Sequence, residues 1–260
     1  MIPADSITAW GVDRLWPNRA AVEQDLLLAR LIVDIYNHAA LREELVFRGG
    51  TCLHQVHLRH PLRYSEDLDF VRRTHTGIGP IFDAMREVAG VIGLDVRGTD
   101  VGQHPKMRLR APAEGVDGAT LRIKLEINTH ETSPASPLIR MPFSVQSAWF
   151  AGEAEVLTFT TAELVSTKLR AMFQRSKGRD LFDLWLALTH MNVAPRDILA
   201  SFPPYRPDGY TAERAVENLR AKTEDETFRT DLDLLVTHWP DDYSIDGAAE
   251  LVIDQLLRHV

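Results

Sequence analysis

Nine consecutive residues, Thr120–Asn128, alternate polar and apolar without a break. Leu121, Ile123, Leu125 and Ile127 fall on one side; Arg122, Lys124, Glu126 and Asn128 fall on the other. Only a strand with one covered and one wet face gives this period of two. The chain must therefore build a sheet with something packed on one side. Leu45–Phe47, Leu68–Val71 and Lys106–Ala111 are further strand candidates. Ala20–Asn37, following Pro17 and Asn18, and Pro80–Ile92 have helical spacing. Ser133–Pro142 holds three prolines and reads as a loop.

Beyond about residue 158 the pattern becomes helical. Thr160 with Glu163 suggests a capping box, followed by the stripe Leu164, Val165, Leu169, Met172 and Phe173. Ser176-Lys177-Gly178 interrupts it before a second helix with Leu181, Leu184, Trp185 and Leu188 inward. The expected fold is α+β. Residues 1–150 would form a catalytic half with a small mixed sheet, and residues 151–260 a helical half that completes the active site. No apolar run approaches the ~18 residues of a membrane helix, and the N-terminus lacks the pattern of a secretory signal. Cys52 is the only cysteine of 260 residues, so no internal disulfide forms and a cytoplasmic location is expected. The net charge of −8 sits in residues 208–260, which hold 13 Asp/Glu against 5 Lys/Arg. The remainder is neutral, so the acidic total does not exclude a nucleic-acid partner.

The densest polar cluster is Arg63-Tyr-Ser-Glu-Asp-Leu-Asp69. On a strand, Asp67 and Asp69 share a face, and paired carboxylates invite a divalent cation. Gly49-Gly50-Thr51 follows a strand as a tight turn where backbone N–H groups can approach phosphate. Glu126, on the polar face of the alternating strand, is a candidate third carboxylate for two-metal chemistry, with Lys124 and Arg122 beside it. Lys168, Arg170, Arg175, Lys177 and Arg179 make a basic stretch, and Asp180 and Asp183 share a helical face.

The strings FRGGTCL, RYSEDLDF, KLEIN and ELVSTKLRAMFQRSKGRDLFDLWLAL together resemble the AbiEii-type toxin family, which includes the mycobacterial MenT toxins. That family belongs to the nucleotidyltransferases with a DNA polymerase β-type fold. The resemblance covers residues 45–190. It implies a nucleotide and metal site at Gly49, Gly50, Thr51, Ser65, Asp67 and Asp69, with Glu126 as a further metal ligand and Lys168, Asp180 and Asp183 as catalytic positions. It implies Mg²⁺ or Mn²⁺ as cofactor, an NTP as substrate, the 3′ end of tRNA as acceptor and a cognate antitoxin as partner. Arg72, Arg73, Arg175 and Lys177, within the basic segments Arg59–Arg73 and Lys168–Arg179, would contact the RNA. A small-molecule or protein acceptor, and a catalytically silent binding module, remain open alternatives.

Overall fold

The strands β1 (Leu45–Arg48), β2 (Asp67–Arg72), β3 (Asp95–Asp100), β4 (Lys106–Pro112), β5 (Thr120–Asn128), β6 (Ile139–Gln146) and β7 (Ala151–Thr158) form one sheet. They lie in the order β3-β4-β5-β2-β1-β7-β6. The sheet is mixed: β2–β5 and β1–β7 are parallel, and the other neighbours are antiparallel. This computed structural model describes residues 2–14, 16–58, 60–102, 104–114, 118–130 and 133–260.

The alternation in β5 does what it predicts. Leu121, Ile123, Leu125 and Ile127 are buried, together with Met107 and Leu109 of β4 and Leu68 and Phe70 of β2. Helices α2 (Arg19–Asn37) and α4 (Gly79–Ile92) pack on the sheet. Asn18 caps α2 by accepting the Ala21 N–H at 2.9 Å. Phe47 and Phe70 are register partners on β1 and β2 and stack with centroids 5.2 Å apart. Gln24, buried on α2, donates to the Arg122 carbonyl at 3.0 Å and ties the helix to β5. Asp25, one residue on, is buried against Arg14 and the Trp10 indole of α1 (Ala4–Trp10). Burial nevertheless raises its carboxyl above the usual range.

The chain divides into two compact units. The first comprises Met1–Thr132 and Leu138–Thr158; the second comprises Ser133–Pro137 and Phe159–Val260. The second is helical: α5 (Thr161–Gln174), α6 (Gly178–Thr189), α7 (Pro195–Ser201), α8 (Ala212–Thr223), α9 (Glu226–Arg229) and α10 (Ile245–Gln255). Asp180 through Ala187 of α6 are buried all round, which makes α6 the central helix of that unit. Thr160 caps α5, accepting from the Glu163 N–H at 3.3 Å. Only this half of the capping box forms. The Glu163 carboxylate instead accepts from Ala135 N at 2.6 Å, Ser136 N at 3.0 Å and Tyr205 OH at 2.6 Å.

Three strands lie where the sequence pattern gave no strand. β3 is an edge strand, mostly polar, with a register shift between Val96 and Gly98. The expected loop 133–142 contains the start of β6, where Pro142 pairs with Glu155. An outer strand tolerates proline because it need not donate on both sides. Residues 151–158, grouped above with the helical half, form β7 of the sheet. Among the described residues no helix is long and apolar enough to cross a membrane.

Candidate active site

Strand register places the polar residues of β2 and β5. Asp67 stands opposite Lys124 and Asp69 opposite Glu126. On the other side, Arg48 of β1 is the partner of Asp69. Lys106 of β4 is the partner of Glu126. One row across four strands therefore reads Arg48, Asp69, Glu126, Lys106. The three carboxylates expected from the sequence do lie on two neighbouring strands, facing away from the apolar core.

Lys124 sits among them. Its Nζ lies 2.9 Å from Asp67 Oδ2 and 3.6 Å from Glu126 Oε2, and Lys106 Nζ lies 3.5 Å from the same Glu126 oxygen. Burial works against the Lys124 ammonium, but Asp67, Asp69 and Glu126 together hold it above the ordinary lysine value. Asp69 goes the other way. Burial, and then the neighbouring Asp67, push its carboxyl up, while Arg48 and Lys124 pull it down. Among the described residues no three His, Cys, Asp or Glu side chains converge as a ready-made cage for a metal. The oxygen donors of Asp67, Asp69 and Glu126 nonetheless suit a hard divalent cation, and the half-buried Asp69 is a carboxylate whose charge such a cation would offset.

Beside this row β1 passes into a helix with no intervening loop. α3 (Gly49–Cys52) follows Arg48 directly and runs on as a π-helical turn, Leu53–His57. The expected tight turn at Gly49-Gly50 is thus a strand-to-helix junction, made possible by φ +80° at Gly49. A Cβ on Gly49 would stand 2.4 Å from Asp69 Oδ2; one on Gly50 would stand 2.5 Å from Arg63 Nη2 and 3.0 Å from Ser65 Oγ. Both glycines are required by close approach. The N–H groups of this first turn have no partner within the helix.

Thr51 is buried, and its hydroxyl donates to the Asp67 carbonyl at 2.5 Å and lies 2.9 Å from Ser65 Oγ. It pins the start of β2 to α3 and so positions Asp67. Arg63 is also buried, donating to the Tyr64 carbonyl at 3.1 Å.

Lys168, Asp180 and Asp183 belong to the second unit, where they meet. Lys168 Nζ lies 2.7 Å from Asp183 Oδ2 and 3.5 Å from Asp180 Oδ1. Arg175 clamps Asp180 with Nε at 2.7 Å and Nη2 at 2.8 Å. Both aspartates are fully buried and Lys168 nearly so.

The expected RNA contacts fare differently from one another. Arg72 is buried, bonded to Glu44 at 2.6 Å and to Thr76, and faces no solvent. A strand-end arginine can fold inward when a carboxylate meets it, and Glu44 does so here. Arg73 is half exposed beside Glu43, and Lys177 lies 3.3 Å from Asp231. Each cation of the expected set thus has its own carboxylate. Arg59 lies outside the described residues. Arg48 and Lys106 were not anticipated. Their signals were position: Arg48 immediately precedes Gly-Gly, and Lys106 begins the alternation Lys106, Arg108, Arg110.

The family model described as "Nucleotidyl transferase AbiEii toxin, Type IV TA system" matches residues 30–250. Among solved structures, MenT4, a nucleotidyltransferase toxin from Mycobacterium tuberculosis H37Rv, is 18% identical with TM-score 0.52, over 97% of this chain and 99% of that one. JHP933 from Helicobacter pylori is 17% identical with TM-score 0.58, over 93% of each chain. At such identities the likeness concerns the fold alone. No curated protein sequence matches the chain.

Proposed function

The chain belongs to the nucleotidyl transferase AbiEii toxin family of type IV toxin–antitoxin systems, and on that premise we propose that it transfers a nucleoside monophosphate from an NTP to the 3′ end of tRNA, releasing pyrophosphate. The observation that carries this reading is the register that lines up Asp67, Asp69 and Glu126 around Lys124, beside a glycine junction. Asp67 and Asp69, with Glu126, would hold Mg²⁺ or Mn²⁺, which when bound supplies Lewis-acid stabilisation of phosphate charge.

The remaining chemistry falls to the chain itself. The Cβ-free junction at Gly49-Gly50 lets backbone N–H groups reach the triphosphate. Ser65 offers a neutral hydroxyl at its edge. Lys124 neutralises the carboxylates of the resting site and presents the same ammonium to phosphate oxygens as substrate arrives. The 3′ oxygen of the acceptor attacks the α-phosphorus while the bond to the β-phosphate oxygen breaks. Glu126, next to Asp69, takes the hydroxyl proton and passes it to solvent. Lys168, Asp180 and Asp183 enter as catalytic positions through the family resemblance alone. The partner that restrains the activity is the antitoxin of the same system.

The test is incubation of the protein with each radiolabelled NTP, Mg²⁺ and total RNA. Label should appear on tRNA-sized species, favour one NTP, and vanish in Asp69→Asn. Label on protein or small molecules would replace the acceptor; no label from any NTP would overturn transfer.

A further inference from the structure

On the same sheet face as the carboxylates, β4 and β5 carry an unbroken run of cations. Lys106, Arg108 and Arg110 alternate along β4; Arg122 and Lys124 alternate along β5. Antiparallel register sets them directly opposite one another, Arg108 against Lys124 and Arg110 against Arg122. Arg108, Arg110 and Arg122 are exposed, and no described carboxylate lies within ion-pair distance of any of them. Asp95 on β3 faces Arg110 across the sheet, but it is bonded to Arg97 at 2.8 Å.

Like charges placed directly opposite on a sheet repel; Lys124 is offset by Asp67 and Glu126, whereas Arg110 against Arg122 is offset by no described carboxylate. Other exposed cations, such as Arg175 and Lys177, sit on carboxylates, Asp180 and Asp231. The ladder at Arg108, Arg110 and Arg122 is left to attract an anion. Its shape limits the anion. Arg122 stands one row, about 7 Å, along β5 from Lys124, and β4 adds a second file about 5 Å to the side. That is a rigid two-file track rather than a pocket for one phosphate. Between its cations the face presents no aromatic or large aliphatic side chain, so it has nothing to insert into a lipid surface.

We infer that Arg108, Arg110 and Arg122 form the track for the phosphate backbone of the RNA acceptor, leading away from its reacting 3′ end at Asp67, Asp69 and Glu126. This rests on the transfer reaction proposed above and assigns its acceptor path to β4 and β5, in place of Arg72 and its neighbours. A polynucleotide whose terminal hydroxyl reacts at one end of the track must carry its preceding phosphates somewhere. The track begins at Lys124, which already touches Asp67. Backbone contacts of this kind give affinity and salt dependence without sequence selectivity.

The experiment compares the wild-type protein with the triple variants R108T/R110T/R122T and R108K/R110K/R122K. Binding of fluorescently labelled tRNA and of a single-stranded RNA with a free 3′ hydroxyl is followed by anisotropy across a salt series. Losing three contacts should lower the slope of log affinity against log salt by about 2, and weaken binding about 100-fold at 0.1 M salt. The lysine variant should keep the slope. KM for the NTP should stay within about twofold, because the triphosphate sits at Gly49-Gly50. Both variants replace exposed side chains, and thermal melts confirm folding.

If the wild-type protein labels and binds RNA while the threonine variant binds it with the same slope, the track is overturned and the transfer reading stands. A parallel rise in NTP KM with unchanged RNA affinity would make the ladder a triphosphate site and overturn it too. If the wild-type protein transfers nucleotide but binds no RNA, both the tRNA acceptor and the track fall.

Discussion

A methyl group added at Gly49 would meet the Asp69 carboxylate at 2.4 Å, on a backbone already at φ +80°. Gly49→Ala should therefore cost about 1–3 kcal/mol in urea unfolding. It should also lower nucleotide transfer by displacing Asp69. Asp69→Asn and Asp67→Asn should each abolish transfer while leaving the melting temperature near wild type; a folded variant with an undiminished rate would remove these carboxylates from the site. His57, partly buried with Nε2 3.3 Å from Thr158 Oγ1, is pushed down to about 4 by burial. An unfolded histidine titrates near 6.5, so the neutral ring's contribution is intact above that pH and is lost as pH falls from about 6.5 toward 4. The loss is at most about 3 kcal/mol. Denaturant titrations at pH 7 and pH 4.5 should show it, and His57→Gln should flatten it. The carboxylates themselves were legible because Asp67 and Asp69 share a face at any strand register. The reason for Gly49-Gly50 was not. Its partners, Asp69, Arg63 and Ser65, are distant in sequence, so the pair read as a tight turn open to phosphate, and its packing against those side chains was not visible.

At the scale of elements, the helix pair α5–α6 encloses the charge network of Lys168, Asp180 and Asp183, residues that the sequence singles out without showing that they are buried. Lys168 and Asp183 are 2.7 Å apart and buried. Lys168→Met would leave Asp180 and Asp183 buried with the ammonium gone, and breaking such a pair costs about 3–5 kcal/mol. We expect a large fall in melting temperature whether or not transfer is also lost. A variant melting like wild type would assign Lys168 to chemistry alone. The β4–β5 pair behaves oppositely. Relieving Arg110 against Arg122 with R110T/R122T should stabilise the sheet by about 0.2–1 kcal/mol, read as an unchanged or raised melting temperature. Strands with clean alternation, β5 above all, were readable to the residue. β6 and β7 were not, because Pro142, Gly152 and the alanines and glutamates of β7 are poor strand formers held in place by pairing. Tertiary context overrode local preference there.

At the scale of the whole molecule, charge is partitioned along the chain. Residues 208–260 carry the −8, and the sheet unit presents the unpaired cations. Because the chain belongs to a toxin family, induced expression of the wild-type protein should arrest growth of a bacterial host, and Asp69→Asn should not. Growth arrest by both would detach toxicity from transfer. The helical second half and the sheet were both legible in outline from the change of period near residue 158. The excursion of Ser133–Pro137 into the second unit was not, since its tie is the Glu163 carboxylate, which the capping-box pattern assigned elsewhere. That excursion governs how the gene can be divided. A fragment ending at residue 158 would encode every strand of the sheet, yet leave the Ala135 and Ser136 amides without the carboxylate that receives them. A fragment beginning at residue 159 would lack those amides. A cut near residue 158 therefore parts the second unit from a segment that belongs to it, and a clean division of the gene must keep 133–137 with 159–260.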